Sequence, residues 1–382
     1  MTEQLKLKLN DSKATRWGAL VIVAFTMMAA YYVNDVVAPL KTMLETDLAW
    51  SSTDFGFFTG GYSFLNVFFL MLIWGGLILD RFGIRFTGKL ATILMVGGTA
   101  LEYYAMTGLA GADATLFGIN EIFGYKTGVF VAFAGYSIFG VGAEVAGITV
   151  SKIIAKWFKG KELATAMGVQ VALARIGSQA GYAVAIPLAR AFGISTPVLL
   201  GLVLLLGGMI AFFIFAVMDK KLDKQMEAAA IAAGTEDEEE KFSFKDVKNI
   251  LVNPGFWLIA LLCVLFYSCV FPFQKFASEL MIIKYGINEN VAGTFAGLPA
   301  LGALILTPVF GGFIDKRGKS ASIMLLGSAM LICVHFIYAI PDINYWLVAI
   351  VLMIILGIAF SLVPSAMWPA GEAAAKPAVK VE

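Results

Sequence analysis

One short motif occurs twice, at matching places in two blocks of apolar sequence. The first copy is Gly76-x-x-x-Asp80-Arg81-x-Gly83-x-Arg85 and the second is Gly311-x-x-x-Asp315-Lys316-x-Gly318-Lys319. Each lies between two long apolar segments. A pattern repeated at equivalent places implies a structural unit built twice, and in apolar sequence that unit is a membrane helix bundle. The composition fits: 59% of residues are hydrophobic and 14% charged, where soluble chains carry about 25% charged residues.

A membrane helix needs about 20 mostly apolar residues. Ten segments qualify, at 17–40, 55–79, 87–107, 127–157, 163–189, 195–218, 255–280, 291–314, 320–340 and 344–367. The first follows Lys6, Lys8, Lys13 and Arg16 and is too long for a signal-peptide core, so the N-terminus is expected inside. Alternate loops then carry the cations: Arg81, Arg85 and Lys89; Lys156, Lys159 and Lys161; Lys220, Lys221 and Lys224; Lys316, Arg317 and Lys319. The intervening loops carry Glu45, Asp47 and Asp54, then Asp113 and Glu121, then Asp342. This is the positive-inside pattern.

The expected organisation is a cytoplasmic tail (1–16), a six-helix bundle (17–218), a cytoplasmic linker (219–254), a four-helix bundle (255–369) and a polar tail (370–382). Within the linker, the acidic run Glu236–Glu240 reads as solvated, and 241–251 alternates apolar and basic residues as a surface-lying amphipathic helix does.

The motif chemistry suggests a gate. Its glycine admits a neighbouring backbone, and its aspartate pairs with a cation or a helix N-terminus, holding one conformation shut until a ligand shifts the balance. The plainer alternative is that Arg81, Arg85 and Lys89 only set topology. With these residues in view, the chain resembles the major facilitator superfamily over 17–369. The resemblance implies an all-α integral membrane bundle of two repeated halves that rock around a central site. That superfamily has twelve helices, so the final pair is expected to be missing here.

The sharpest signal among charges within the apolar segments lies in the fourth and fifth. Glu144 sits in Gly140-Val-Gly-Ala-Glu144-Val-Ala-Gly147 and Arg175 in Ala172-Leu-Ala-Arg175-Ile-Gly177-Ser178. Glu144 is 13 residues before Trp157, and Arg175 is 13 after Glu162. At about 1.5 Å per residue both lie roughly 20 Å from the connecting turn, at similar depth on antiparallel helices. Charges there are expensive unless paired or hydrated, and usually functional. One reading is a zwitterion site, with Glu144 taking an ammonium, Arg175 clamping a carboxylate, and Gly140, Gly142, Gly147 and Gly177 leaving room beside them. The alternatives are a purely structural ion pair and a proton relay through Glu144.

The runs Phe139-Gly-Val-Gly-Ala-Glu144, Trp157-Phe-Lys-Gly-Lys-Glu-Leu163 and Ala174-Arg-Ile-Gly-Ser178 resemble the lysosomal dipeptide transporter branch of the superfamily and its prokaryotic relatives. Asn34-Asp35 and Val363-Pro-Ser-Ala-Met-Trp-Pro369 are similar too. This resemblance implies facilitated uniport of small peptides, with Glu144 and Arg175 matching the branch's substrate-binding pair.

Asp35, near the outer end of the first helix, reads as a gate or helix-end residue before a ligand. Lys275, after Pro272, either faces the cavity or snorkels outward. Lys152 reads as structural. Tyr31, Tyr32, Tyr62 and Asn66 are cavity or packing residues.

The competing function is a non-transporting membrane receptor or scaffold, or an inactive truncated carrier. An enzyme is the weakest reading: the chain has one histidine, His335, and no H-E-x-x-H, G-x-S-x-G or phosphate-binding glycine loop. No cofactor or metal is implied, and Cys263, Cys269 and Cys333 read as packing residues. The near-zero net charge of +1 disfavours nucleic acid. Expected partners are a small zwitterionic substrate and membrane lipid, with a homodimer or an accessory membrane subunit left open. Short loops suit a prokaryotic inner membrane; in a eukaryote the expectation is the lysosomal membrane.

Overall fold

A computed structural model describes residues 8–111, 114–233, 251–317 and 319–375. Asp113, Gly318, the acidic run, residues 241–250 of the amphipathic segment and the end of the tail (376–382) lie outside the described residues. The chain folds as two compact units, Met1–Glu236 and Asp237–Glu382.

The first unit is built from α1 (Lys13–Val36), α2 (Lys41–Asp47), α3 (Ser52–Phe68), α4 (Met71–Thr107), α5 (Thr127–Trp157), α6 (Leu163–Phe192) and α7 (Thr196–Ala233). Helix is the rule because hydrocarbon offers no hydrogen-bond partner to an open backbone. The helices pack as α4 on α5, α1 on α6 and α7, and α3 on α5. Their core includes Val23, Val33, Phe55, Phe58, Met95, Phe139, Phe212 and Phe215.

The expected segment 55–79 is not one straight helix. It breaks between Phe68 and Met71 with a 58° bend, and Leu70 at the break has φ 52°. No proline or glycine marks that position. Helix geometry then fails again at Gly83 (φ 75°, ψ 173°), where the chain turns from the second expected span to the third. Only glycine takes that conformation without strain, which explains its place in the motif.

One feature departs from an all-helical bundle. Between α4 and α5, β1 (Glu121–Ile122) pairs antiparallel with β2 (Tyr125–Lys126). Tyr125 stacks on Phe57 of α3 at 3.9 Å between centroids.

The second unit contains α8 (Pro254–Ile283), α9 (Glu289–Ala296), α10 (Leu298–Arg317), α11 (Ser320–Ala339) and α12 (Trp346–Ala375). Ile314, Ile323, Leu362 and Ala366 form a buried cluster joining α10, α11 and α12. The expected eighth span is divided at Gly297, just before Pro299. Residues 370–375, expected as polar tail, continue α12.

Seven described helices are long and apolar enough to cross a membrane, and eight when the bent pair counts as one span. α6 falls below that hydropathy because Gln170, Arg175, Ser178 and Gln179 interrupt it.

Candidate functional site

Glu144 is half-buried on α5 and accepts a hydrogen bond of 2.8 Å from the Tyr62 hydroxyl on α3. Arg175 is half-buried on α6, its guanidinium carbon 5.6 Å from the Tyr31 ring centroid on α1. That is cation–π distance. Each charge thus has a tyrosine beside it, a residue the sequence left undecided between cavity and packing.

The glycines around these charges do not leave room. A Cβ on Gly140 would lie 2.3 Å from the Tyr62 carbonyl oxygen, and one on Gly177 would lie 2.1 Å from that of Met28. On Gly142 it would meet the Ala91 carbonyl at 2.7 Å. Only Gly147 is comparatively open, with Met27 at 3.9 Å. The space beside three of the four is filled by the backbone of the next helix. Gly140 brings α3 against α5, placing Tyr62 within reach of Glu144 one turn on. Gly177 brings α1 against α6, placing Tyr31 under Arg175. This small-residue crossing is the usual device for close packing in membranes.

Asp35 accepts from the Asn34 amide at 2.9 Å, and the Tyr136 hydroxyl donates to the Asn34 carbonyl at 2.7 Å. The Tyr136 ring lies 5.7 Å from that of Tyr62, so one route from Asp35 to the site runs through this chain of polar and aromatic groups. Lys275 is half-buried in α8 of the other unit, three residues beyond Pro272.

The first motif is tied into its own unit. Asp80 pairs with Lys152 at 2.9 Å, both side chains about half exposed. Lys152, read as structural, is thus the cation for the motif aspartate. Arg85 donates to Asp219 at 3.1 Å and also to Asp223. Lys156 reaches Asp219 at 2.7 Å, and the Trp157 indole N–H reaches it at 3.0 Å. Asp219 is fully buried, and three donors offset the cost of burying its charge. This junction of α4, α5 and α7 was missed in the sequence, although an aspartate ending an apolar span among cations was there to be read. Arg81 lies 5.6 Å from the ring of its neighbour Phe82.

Neither motif glycine admits a neighbour. A Cβ on Gly76 or Gly311 would meet nothing within 4 Å among the described residues. Asp315 and Lys316 lie on α10, with Lys316 exposed.

Glu102 was also missed. It is fully buried on α4, the helix that packs on α5. The rule that singled out Glu144 applied equally to this acid inside the third span.

A profile of the Major Facilitator Superfamily matches residues 20–379. The chain belongs to the Major Facilitator Superfamily. It is 27% identical to the human (Homo sapiens) lysosomal dipeptide transporter MFSD1 over 370 residues, 93% of this chain and 72% of that protein. Among solved structures it resembles a D-xylose–proton symporter, with TM-score 0.62 and 15% identity, covering 94% of this chain and 85% of the other. A bacterial homolog of the human lysosomal transporter Spinster gives TM-score 0.61 at 14% identity, covering 95% and 78%. These two likenesses are of fold. The protein is a multi-pass transmembrane transporter and not an enzyme.

Proposed function

We propose that this transporter carries dipeptides or similar small zwitterions by facilitated uniport and alternating access. Glu144 receives the substrate ammonium and Arg175 its carboxylate. The reading rests on one observation: the acid and the guanidinium, on the consecutive helices α5 and α6, are each braced by a tyrosine. A carboxylate steadied by a phenol keeps lone pairs for an ammonium, and a guanidinium over a ring keeps N–H groups for a bidentate carboxylate. The similarity to a dipeptide transporter points the same way. In this reading the Asp80–Lys152 and Arg85–Asp219 contacts steady one state of the first unit, and Gly83 and Arg81 shape the turn that carries them. Gly76, Gly311, Asp315, Lys316 and Gly318 complete the repeated gate. The loop lengths support a prokaryotic inner membrane.

Uptake of a labelled dipeptide into proteoliposomes tests the proposal. Glu144→Gln and Arg175→Ala should each lower apparent affinity at least about 30-fold, the usual scale for one half of a desolvated charge pair. Uptake unchanged in both variants would refute the site. Saturable dipeptide binding without flux would favour the receptor reading.

A further inference from the structure

We propose that the first unit carries a binding site for an anionic glycerophospholipid, in a groove between α4 and α7 at the basic end of the bundle. The groove has two continuous parts. A cleft of about 550 Å³ is lined by Arg85, Lys89 and Lys220 together with Ala216 and Val217. A second space of about 510 Å³ shares Lys89 and Val217 and continues along Ile210, Phe213 and Ile214. One end is thus cationic and the other apolar.

The sequence builds both parts by helical spacing. Arg85 and Lys89 are one turn apart on α4. Ile210, Ile214 and Val217 follow one face of α7, and Lys220 ends that row. The three apolar side chains are 60%, 55% and 64% exposed. Gly88 lets α7 pack closely against α4 here, since a Cβ there would lie 1.9 Å from the Phe212 ring. The Lys89 ammonium lies 5.2 Å from the Phe213 ring centroid, at the junction of the two parts.

Charge and length select the occupant. Arg85 already faces Asp219 and Asp223, whereas among the described residues neither Lys89 nor Lys220 has a carboxylate within ion-pair distance. Two ammonium groups without a carboxylate partner among the described residues favour an anion. The ten helical steps from Ile210 to Lys220 rise about 15 Å, half of a hydrocarbon core about 30 Å thick. That is the depth of one leaflet. A phosphate between Lys89 and Lys220 would leave its acyl chain lying along the apolar row, which a free phosphate ester cannot use. Basic pockets between membrane helices commonly take anionic headgroups.

The test is native mass spectrometry of the full chain released from mixed micelles of phosphatidylglycerol and phosphatidylcholine with identical acyl chains. The chain should retain phosphatidylglycerol preferentially. Lys89→Gln and Lys220→Gln should each lower that retention about five-fold, and the pair about 30-fold. The double Lys→Arg variant should keep it, which separates lost charge from lost fold. Val217→Trp should displace the lipid with every cation in place. Equal retention of the two lipids, retention unchanged in the Lys→Gln pair, or displacement by glycerol phosphate at matched concentration would each overturn the site.

Discussion

Glu144 is the residue on which the proposed chemistry turns, and its setting depends on one phenol. The Tyr62 hydroxyl donates to it at 2.8 Å, fixing one carboxylate oxygen and leaving the other for substrate. Hydrogen bonds to charged groups contribute about 1.5–3 kcal/mol. Tyr62→Phe keeps the ring among Tyr136 and Phe139 and removes only the donor. It is expected to raise the KM for dipeptide uptake about ten-fold or more with little change in the maximal rate, because a positioning residue acts on binding. A KM like that of the parent would mean the hydroxyl does not orient Glu144. Glu144 and Arg175 stand out in the sequence as candidates because charge inside an apolar helix is rare. The tyrosines were not, because Tyr is an ordinary packing residue and nothing local separates one facing a carboxylate from one facing lipid. Glu102 carried the same mark as Glu144 and shows that the rule finds buried acids without assigning them work.

Among the helices, glycine decides which elements meet. Its meaning depends on the partner, which a single sequence does not reveal. Gly140, Gly177 and Gly76 look alike in their apolar surroundings, yet a Cβ on the first two would lie 2.3 and 2.1 Å from a carbonyl oxygen, whereas one on the third would face open space. Backbone cannot swing aside as a side-chain tip can. Gly177→Ala and Gly140→Ala are therefore expected to destabilise the first unit by about 1–3 kcal/mol, the range for overpacking. Gly76→Ala should be neutral or slightly stabilising through its helix propensity. Thermal unfolding of the detergent-solubilised variants checks this, and a Gly177→Ala protein as stable as Gly76→Ala would contradict the close crossing. The same limit explains what was misread in the fold. Span positions followed from hydropathy, but the break at Phe69–Leu70 has no local breaker, and α6 is a helix despite its polar residues. The β1–β2 hairpin depends on Phe123 and Gly124, both at positive φ, where an Asn-Gly or Asp-Gly pair would have announced the turn.

At the scale of the molecule, the repeated motif gave the class because duplication is a global property that local ambiguity does not blur. What it left unstated is how the basic end of the first unit is held. That end is secured by an N-terminal strap as well as by the Asp219 junction. The Leu9 amide donates to Gln225 of α7 at 2.8 Å. Lys161 reaches the Asn10 carbonyl and the Asp11 carboxylate, each at 2.7 Å. Arg16, itself buried, pairs with Glu162 at 2.7 Å. Lys161 and Arg16 hold the Asp11 and Glu162 carboxyls, respectively, below the usual carboxylate range, chiefly by these hydrogen bonds. A carboxyl whose pKa is depressed on folding contributes stability above its unfolded value of about 4 and loses it as pH falls through the folded value. The strap should therefore stay closed at neutral pH and loosen only below about pH 4. Hydrogen exchange of the amides of residues 9–16 between pH 7 and 3, corrected for intrinsic rates, reads this directly. Protection should fall with acid, and Asp11→Asn with Glu162→Gln should lack it already at pH 7. Protection that persists through pH 3, or survives both substitutions, would mean that apolar burial rather than these ion pairs holds the N-terminus in place.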